Sequence, residues 1–259
     1  MDAEQLFKAG DLSAARAALA AELRSKPNDV RARQFFWQLL AIVGDFDKAE
    51  TQLRALGGVQ ASAMMLGSVY MQTINAERLR IKTYAGDIAP KSLVGVEPWV
   101  SGMLDALAAT IKGAPGAGAR HEAALSEAPA SPGSIEGEAF DWLADADSRF
   151  GPMLECIIGA DYGFIPFAAM NRIRAADVAD LRDTVWRPAE ISLKSGQSSM
   201  VFIPARYPRT TDSSDAALIL GRRTDWIVVD DLEIGLGQRL LATESRDLGV
   251  LEAFDIRLD

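Results

Sequence analysis

Histidine and cysteine are almost missing from this chain, which carries one of each, His121 and Cys156, in 259 residues. A single cysteine excludes an internal disulfide and a cysteine-rich zinc site. With a single histidine, zinc sites built on two histidines and the usual serine or cysteine triads become difficult. Basic charge is scarce as well: 27 Lys and Arg stand against 36 Asp and Glu, a net charge of −9. Both halves share the deficit, with 19 acids against 14 bases in residues 1–148 and 17 against 13 in 149–259. Nucleic-acid binding draws its affinity from Lys and Arg that neutralise phosphates, so nucleic acid is not an expected partner. Long apolar runs are also absent: no segment approaches the ~18 residues needed to span a bilayer. Met1-Asp2-Ala3-Glu4-Gln5 has neither the basic nor the apolar part of a secretory leader. The expected setting is the reducing cytoplasm, with no membrane partner.

What is present is the balance of a folded protein, 49% hydrophobic and 24% charged, long enough for two domains. The first half repeats. Gly10-Asp11-Leu12-Ser13-Ala14-Ala15 returns 34 positions later as Gly44-Asp45-Phe46-Asp47-Lys48-Ala49, with Leu6 mapping to Leu40 and Leu19 to Leu53. That period is the period of the tetratricopeptide helix pair. Glycine ends the first helix of each pair where positive φ is cheap, and a small alanine lets the second helix pack closely on it. Gly86-Asp87 follows Gly44 by 42 residues, so a third pair is longer or degenerate. Helices are expected near 2–9, 12–25, 29–43, 46–56, 60–84 and 97–112.

A Gly/Ala/Pro-rich region spans about 113–137, with further helical turns expected at 121–127 and 136–146. From Gly151-Pro152 onward the pattern becomes short β-favouring runs: Met153–Ile158, Gly163–Phe167, Val185–Leu193, Met200–Ile203 and Trp226–Val229. Lys194-Ser195-Gly196-Gln197 reads as a hairpin turn, and Val178–Asp183 as a short helix. The expected fold is therefore α plus α+β. A tetratricopeptide-like helical stack (1–148) precedes a smaller, mostly antiparallel α+β domain (149–259).

The candidate chemistry is thin. His121 follows a Gly/Ala/Pro stretch and reads as a surface residue of a linker or helix start. Cys156 shares a strand face with Leu154 and Ile158 and reads as a buried, inert thiol. Gly235-Leu236-Gly237 is a glycine turn entering a late strand: acids precede it, and too few residues follow for a dinucleotide-binding unit. Asp225, Asp230, Asp231 and Glu233 form an acidic turn without the alternation of a calcium loop. No cofactor, metal or catalytic residue is assigned. The remaining signal is a set of arginines and aromatics, Trp186, Arg187, Arg206, Tyr207, Arg222, Trp226 and Arg239, with Arg223 beside them. Arginine forks hold carboxylates or carbonyls, and Trp, Tyr and Arg dominate interface hot spots. The set is therefore the candidate partner-binding site, and it equally fits internal ion pairs and caps of a small irregular β domain.

Four clusters stand in order: Trp186-Arg187-Pro188-Ala189-Glu190, Phe202-Ile203-Pro204-Ala205-Arg206-Tyr207-Pro208, Gly221-Arg222-Arg223-Thr224-Asp225-Trp226 and Gly235-Leu236-Gly237-Gln238-Arg239. Together they resemble the ImpE family, also called TagJ or SciE, of type VI secretion accessory proteins. The resemblance covers the whole chain. One departure is the pair Arg209-Thr210, where a Gly-Ser pair is expected. The resemblance implies a non-catalytic adaptor linked to the small subunit of the contractile sheath, through that subunit's N-terminal helix. It thereby links indirectly to sheath disassembly by the ClpV ATPase. An amphipathic partner helix suits a groove on a helical stack. Two other readings are a general tetratricopeptide scaffold for peptide tails, for which Arg31, Arg33 and Lys48 offer little basic surface, and an enzyme with a site among Arg206, Asp225 and Arg239.

Overall fold

Seven helices lead the chain in a computed structural model that describes residues 2–59, 63–229 and 232–259. They are α1 (Ala3–Lys8), α2 (Leu12–Ser25), α3 (Val30–Ile42), α4 (Phe46–Val59), α5 (Ala63–Tyr84), α6 (Pro98–Ile111) and α7 (Ala117–Ser126). Their starts follow local chemistry. The Asp11 side chain accepts from the Ala14 amide and Asp29 from that of Ala32, satisfying backbone donors that a helix start leaves open. Gly10 and Gly44 take φ values of 84° and 79° at the two equivalent turns. Ala15 and Ala49 are fully buried where the helices of each pair cross. The 34-residue repeat is thus two helix pairs. In the third, the segment between α5 and α6 runs along the sheet, where Leu93 N donates to Phe164 O at 2.8 Å and lengthens the connection.

Strands follow as β1 (Gly133–Ile135), β2 (Glu138–Phe140), β3 (Ala144–Asp145), β4 (Met153–Ile158), β5 (Asp161–Pro166), β6 (Met170–Ala175), β7 (Trp186–Leu193) and β8 (Ser198–Pro204). After the short helix α8 (Ala216–Ile219) come β9 (Thr224–Val229), β10 (Leu232–Gly237), β11 (Leu240–Ala242), β12 (Asp247–Gly249) and β13 (Phe254–Leu258). Among the described residues one sheet has eight strands in the order β2-β1-β13-β6-β7-β8-β4-β5, with each strand pair antiparallel. A smaller sheet runs β12-β11-β3, and β9 with β10 forms a separate hairpin. The fold is α plus α+β, helices first and a mostly antiparallel part second.

Strand alternation divides the core into two layers. On β4, Met153 and Ile157 join Trp186, Phe164 and the helical side chains in one cluster. Leu154 and Cys156 point the other way, into a cluster with Leu241, Leu248 and Val250 of the small-sheet region. The sheet is therefore buried on both faces at β4 and β5, while Arg174 of β6 and Arg257 of β13 leave one face open to solvent at the other end. Cys156 is buried as expected, and burial pushes its thiol well above the usual range. The Lys194–Gln197 turn does join β7 to β8, with Gly196 at φ 88°.

Several expectations need correction. Residues 136–146 form β2 and β3 rather than helix, so the sheets recruit chain from ahead of position 149. Strands of two or three residues carry too little periodicity to be read locally; β2 and β3 exist because β1 and β11 pair with them. The short helix expected at Val178–Asp183 is a single 3-10 turn at Leu181–Thr184. Gly235 and Gly237 lie within β10 rather than at its entrance. Asp230 and Asp231 of the acidic turn lie outside the described residues; Asp225 pairs with Arg223 at 3.3 Å.

His121 is the clearest reversal. It is buried on the same face of α7 as Ala117 and Ala124, a spacing of four and then three residues. Its Nε2 lies 3.1 Å from the Thr110 hydroxyl of α6. Burial pulls its pKa down to about 4. The unfolded chain takes the proton near the ordinary value of 6.5, so this contribution to stability is present above that pH and is lost as pH falls toward 4. Urea unfolding at pH 7 and pH 4.5 should show the native chain losing roughly 1–2 kcal/mol more than a His121→Gln variant. Equal losses would contradict the burial of a neutral imidazole.

Candidate functional site

Glu155 stands at the middle of β4, between apolar neighbours and fully enclosed. Arg80 from α5 donates to it through Nε at 2.8 Å and Nη2 at 3.3 Å. Arg239, from the link between β10 and β11, donates to its other side. Tyr162 and Tyr84 hydroxyls reach its Oε1 at 2.5 and 3.0 Å. Burial works against this charge, but the two guanidinium groups outweigh it and hold the carboxyl down at about 2.

Six further side chains extend the network. Arg239 also donates to Asp145 on β3 and to Pro204 O at 3.0 Å. Tyr207 donates to Asp145 at 3.0 Å and receives the Leu240 amide at 3.1 Å. Asp145 shares its arginine with Glu155 and lies beside Asp147, so burial raises it to about 6. Asp147 in turn holds Arg149 and accepts from the Gly235 amide at 2.9 Å. Any side chain at Gly235 would collide with the Tyr207 ring, so glycine is what allows β10 to lie against it. On the helical side, Glu77 bridges Arg80 at 3.0 Å and Trp186 Nε1 at 2.9 Å.

Of the seven candidate residues, Trp186, Arg187, Arg206, Tyr207 and Arg239 are buried. The structure brings Trp186, Tyr207 and Arg239 together around Glu77, Asp145 and Glu155. Arg187 lies on the opposite sheet face, donating to the carbonyls of Val250, Ala176 and Glu252. Arg206 donates to the carbonyls of Ile42 and Ile219, capping the ends of α3 and α8. Trp226 is half-buried against the Tyr207 ring, centroids 5.7 Å apart, and Arg222 is exposed. Arg206, Asp225 and Arg239, the enzyme candidates, have three different sets of partners, with Asp225 on the surface beside Arg223. Sequence reasoning missed Glu77, Arg80, Asp145 and Glu155. A lone carboxylate within Met153-Leu154-Glu155-Cys156-Ile157-Ile158 was the available signal.

The helical half carries an apolar groove between α1 and α3, with Phe7 and Phe35 on its floor at an edge-to-face centroid distance of 5.6 Å. Leu181, from the 3-10 turn before β7, closes one side. Glu4, Lys8 and Arg31 rim it, and Arg31 pairs with Glu4 at 2.8 Å. None of the groove residues belongs to the four sequence clusters.

This architecture defines a protein of short helical repeats braced against a mixed β half by buried arginine–carboxylate pairs. The ImpE protein family model matches residues 137–257. The chain is also 39% identical, over 258 residues, to the type VI secretion system accessory component TagJ of Pseudomonas aeruginosa. That alignment covers 99% of this chain and 90% of the relative. The chain belongs to the ImpE family, as the four clusters implied, and this kinship supports an accessory role in type VI secretion. The crystal structure of protein VPA1032 from Vibrio parahaemolyticus superposes with a TM-score of 0.88 at 21% identity, covering 99% of this chain and 97% of that one. The likeness shows a shared fold.

Breaking a buried pair leaves its partners charged and unpaired, which costs about 3–5 kcal/mol. Glu155→Gln should therefore destabilise the protein by about that much in urea unfolding, because Arg80 and Arg239 each lose one of their two carboxylates and are left sharing the charge of Glu77 and Asp145 alone. Tyr162→Phe removes one hydrogen bond and should cost about 1 kcal/mol. Similar small losses for both variants would contradict the network.

Proposed function

We propose that this protein is a non-catalytic adaptor of a type VI secretion system that binds the small contractile-sheath subunit through that subunit's N-terminal helix. In this reading it adjusts sheath assembly or disassembly by ClpV, with the ATPase touched only indirectly. Kinship with a type VI accessory component supports the setting. The observation that carries the mechanism is the groove of Phe7, Phe35 and Leu181, an apolar floor within a polar rim on the helical stack. Such a groove suits an amphipathic helix that lays anchors at i, i+3 or i+4 and i+7 into it. The adaptor operates in the cytoplasm, where its partner assembles. The described residues include no helix long and apolar enough to cross a membrane.

The general-scaffold reading has less behind it, because Arg31, Arg33 and Lys48 already engage Glu4, Gln52 and Asp45. Removing residues 1–112 is a poor test, since α5 supplies Glu77 and Arg80 to the buried network. A point change within the groove is cleaner. Titrating the full chain with the sheath subunit's N-terminal helix as a peptide should give saturable binding that weakens at least tenfold in a folded Phe35→Ser variant. Absence of binding to the native chain would remove the partner, whereas full affinity in Phe35→Ser would remove the groove.

A further inference from the structure

A cavity of about 350 Å³ lies where α5 and the start of α4 face the turn after β8. Phe46, Ile81 and Val185 contribute apolar wall, and Arg206 contributes charge. Arg206 is 6% exposed. Its Nη1 donates to Ile42 O at 2.7 Å and to Ile219 O, and its Nε and Nη2 donate to nothing among the described residues. No described carboxylate comes within 4.0 Å of it. The charge of Glu77 acts on it through space, but both oxygens of Glu77 are already taken by Arg80 and Trp186. Burial lowers its pKa only to about 10, so it remains a cation at neutral pH.

The other buried arginines differ. Arg80, Arg149 and Arg239 each hold a carboxylate of this chain. Arg187 has only carbonyl partners, but it spends both Nε and Nη2 on them. Among the described residues, Arg206 is the buried arginine that joins a missing carboxylate to unused donors on a cavity wall. Burial removes most of the hydration of this guanidinium, and the planar fork of its unused Nε and Nη2 matches a carboxylate. Arg209, at the mouth, adds a second signal. It sits at φ 65°, a conformation that disfavours residues other than glycine, and this places beside the opening an exposed guanidinium that spends its Nε on Asp212 at 3.1 Å and leaves its other nitrogens free among the described residues.

We propose that this cavity binds a carboxylate carried on a small apolar body, with Arg206 taking the carboxylate inside and Arg209 drawing it in. The site is separate from the groove on α1 and α3 and does not depend on the sheath reading.

Calorimetric titration of the full chain with 4-phenylbutyrate, and with 4-phenylbutyramide as its neutral counterpart, tests this. The acid should bind saturably and the amide at least tenfold more weakly. Ile81→Trp fills the cavity from a half-exposed helical position, away from the buried hydrogen bonds, and should weaken the acid at least tenfold. Arg209→Gly relieves the backbone, so it should keep or raise the melting temperature while weakening the acid two- to fivefold. Acetyl-Gly-Gly-Phe with a free C-terminus separates the sources: tighter binding than phenylbutyrate assigns the cavity to a chain end, and weaker binding assigns it to a free small acid. No binding of phenylbutyrate or of the peptide, equal binding of acid and amide, or undiminished binding to Ile81→Trp overturns the proposal.

Discussion

A single carboxylate, that of Glu155, receives arginines from parts of the chain 75 residues earlier and 84 residues later. Neither arginine can be buried alone, because desolvating a guanidinium costs several kcal/mol before any partner is found. Neither half of the fold can therefore seal its interior without the other. Arg80 arrives on α5, Arg239 follows the β9–β10 hairpin, and Glu155 waits on a strand buried on both faces. Trp186 and Tyr207 complete the arrangement by spending their single polar atoms on Glu77 and Asp145.

This constraint explains why the sequence clusters look like a binding site. Trp, Tyr and Arg are favoured at interfaces because each joins apolar area to directed hydrogen bonds. The same property serves an internal joint between helices and sheet. Arg187 and Arg206 act as caps, drawing on backbone carbonyls that no strand or helix satisfies. The two surfaces proposed for other molecules are the groove on α1 and α3, outside the clusters, and the cavity that Arg206 lines.

Much of the fold was legible because it is local. The helix pairs announced themselves through Gly-Asp turns and small alanines at a fixed period, and β4, β7 and β8 through runs of branched and aromatic residues. The strands β1, β3, β11 and β13 were not legible in that way: β1 and β11 are short even with the local partners β2 and β12, and β3 and β13 pair only with strands from distant parts of the chain. His121 misled for a related reason: its neighbours look like a linker, and only the packing of α7 on α6 buries it. The candidate residues were found by type, but their roles depend on Glu77, Asp145 and Glu155. Acids are common in this chain, and only the fold singles those three out. A groove on the helical stack was expected, but its residues were not legible, because an aromatic such as Phe7 or Phe35 on an apolar helix face suits a core equally well.

The central claim is that helices and sheet form one cooperative unit closed by Glu155. Native-state hydrogen exchange across a denaturant series measures this directly, since it separates units that open at different free energies. Amides of α5 around Arg80 and of β4 around Glu155 should merge onto one global unfolding transition with equal free energies. If α5 exchanged through an opening of clearly lower free energy while β4 stayed protected, the buried network would not be what joins the two halves.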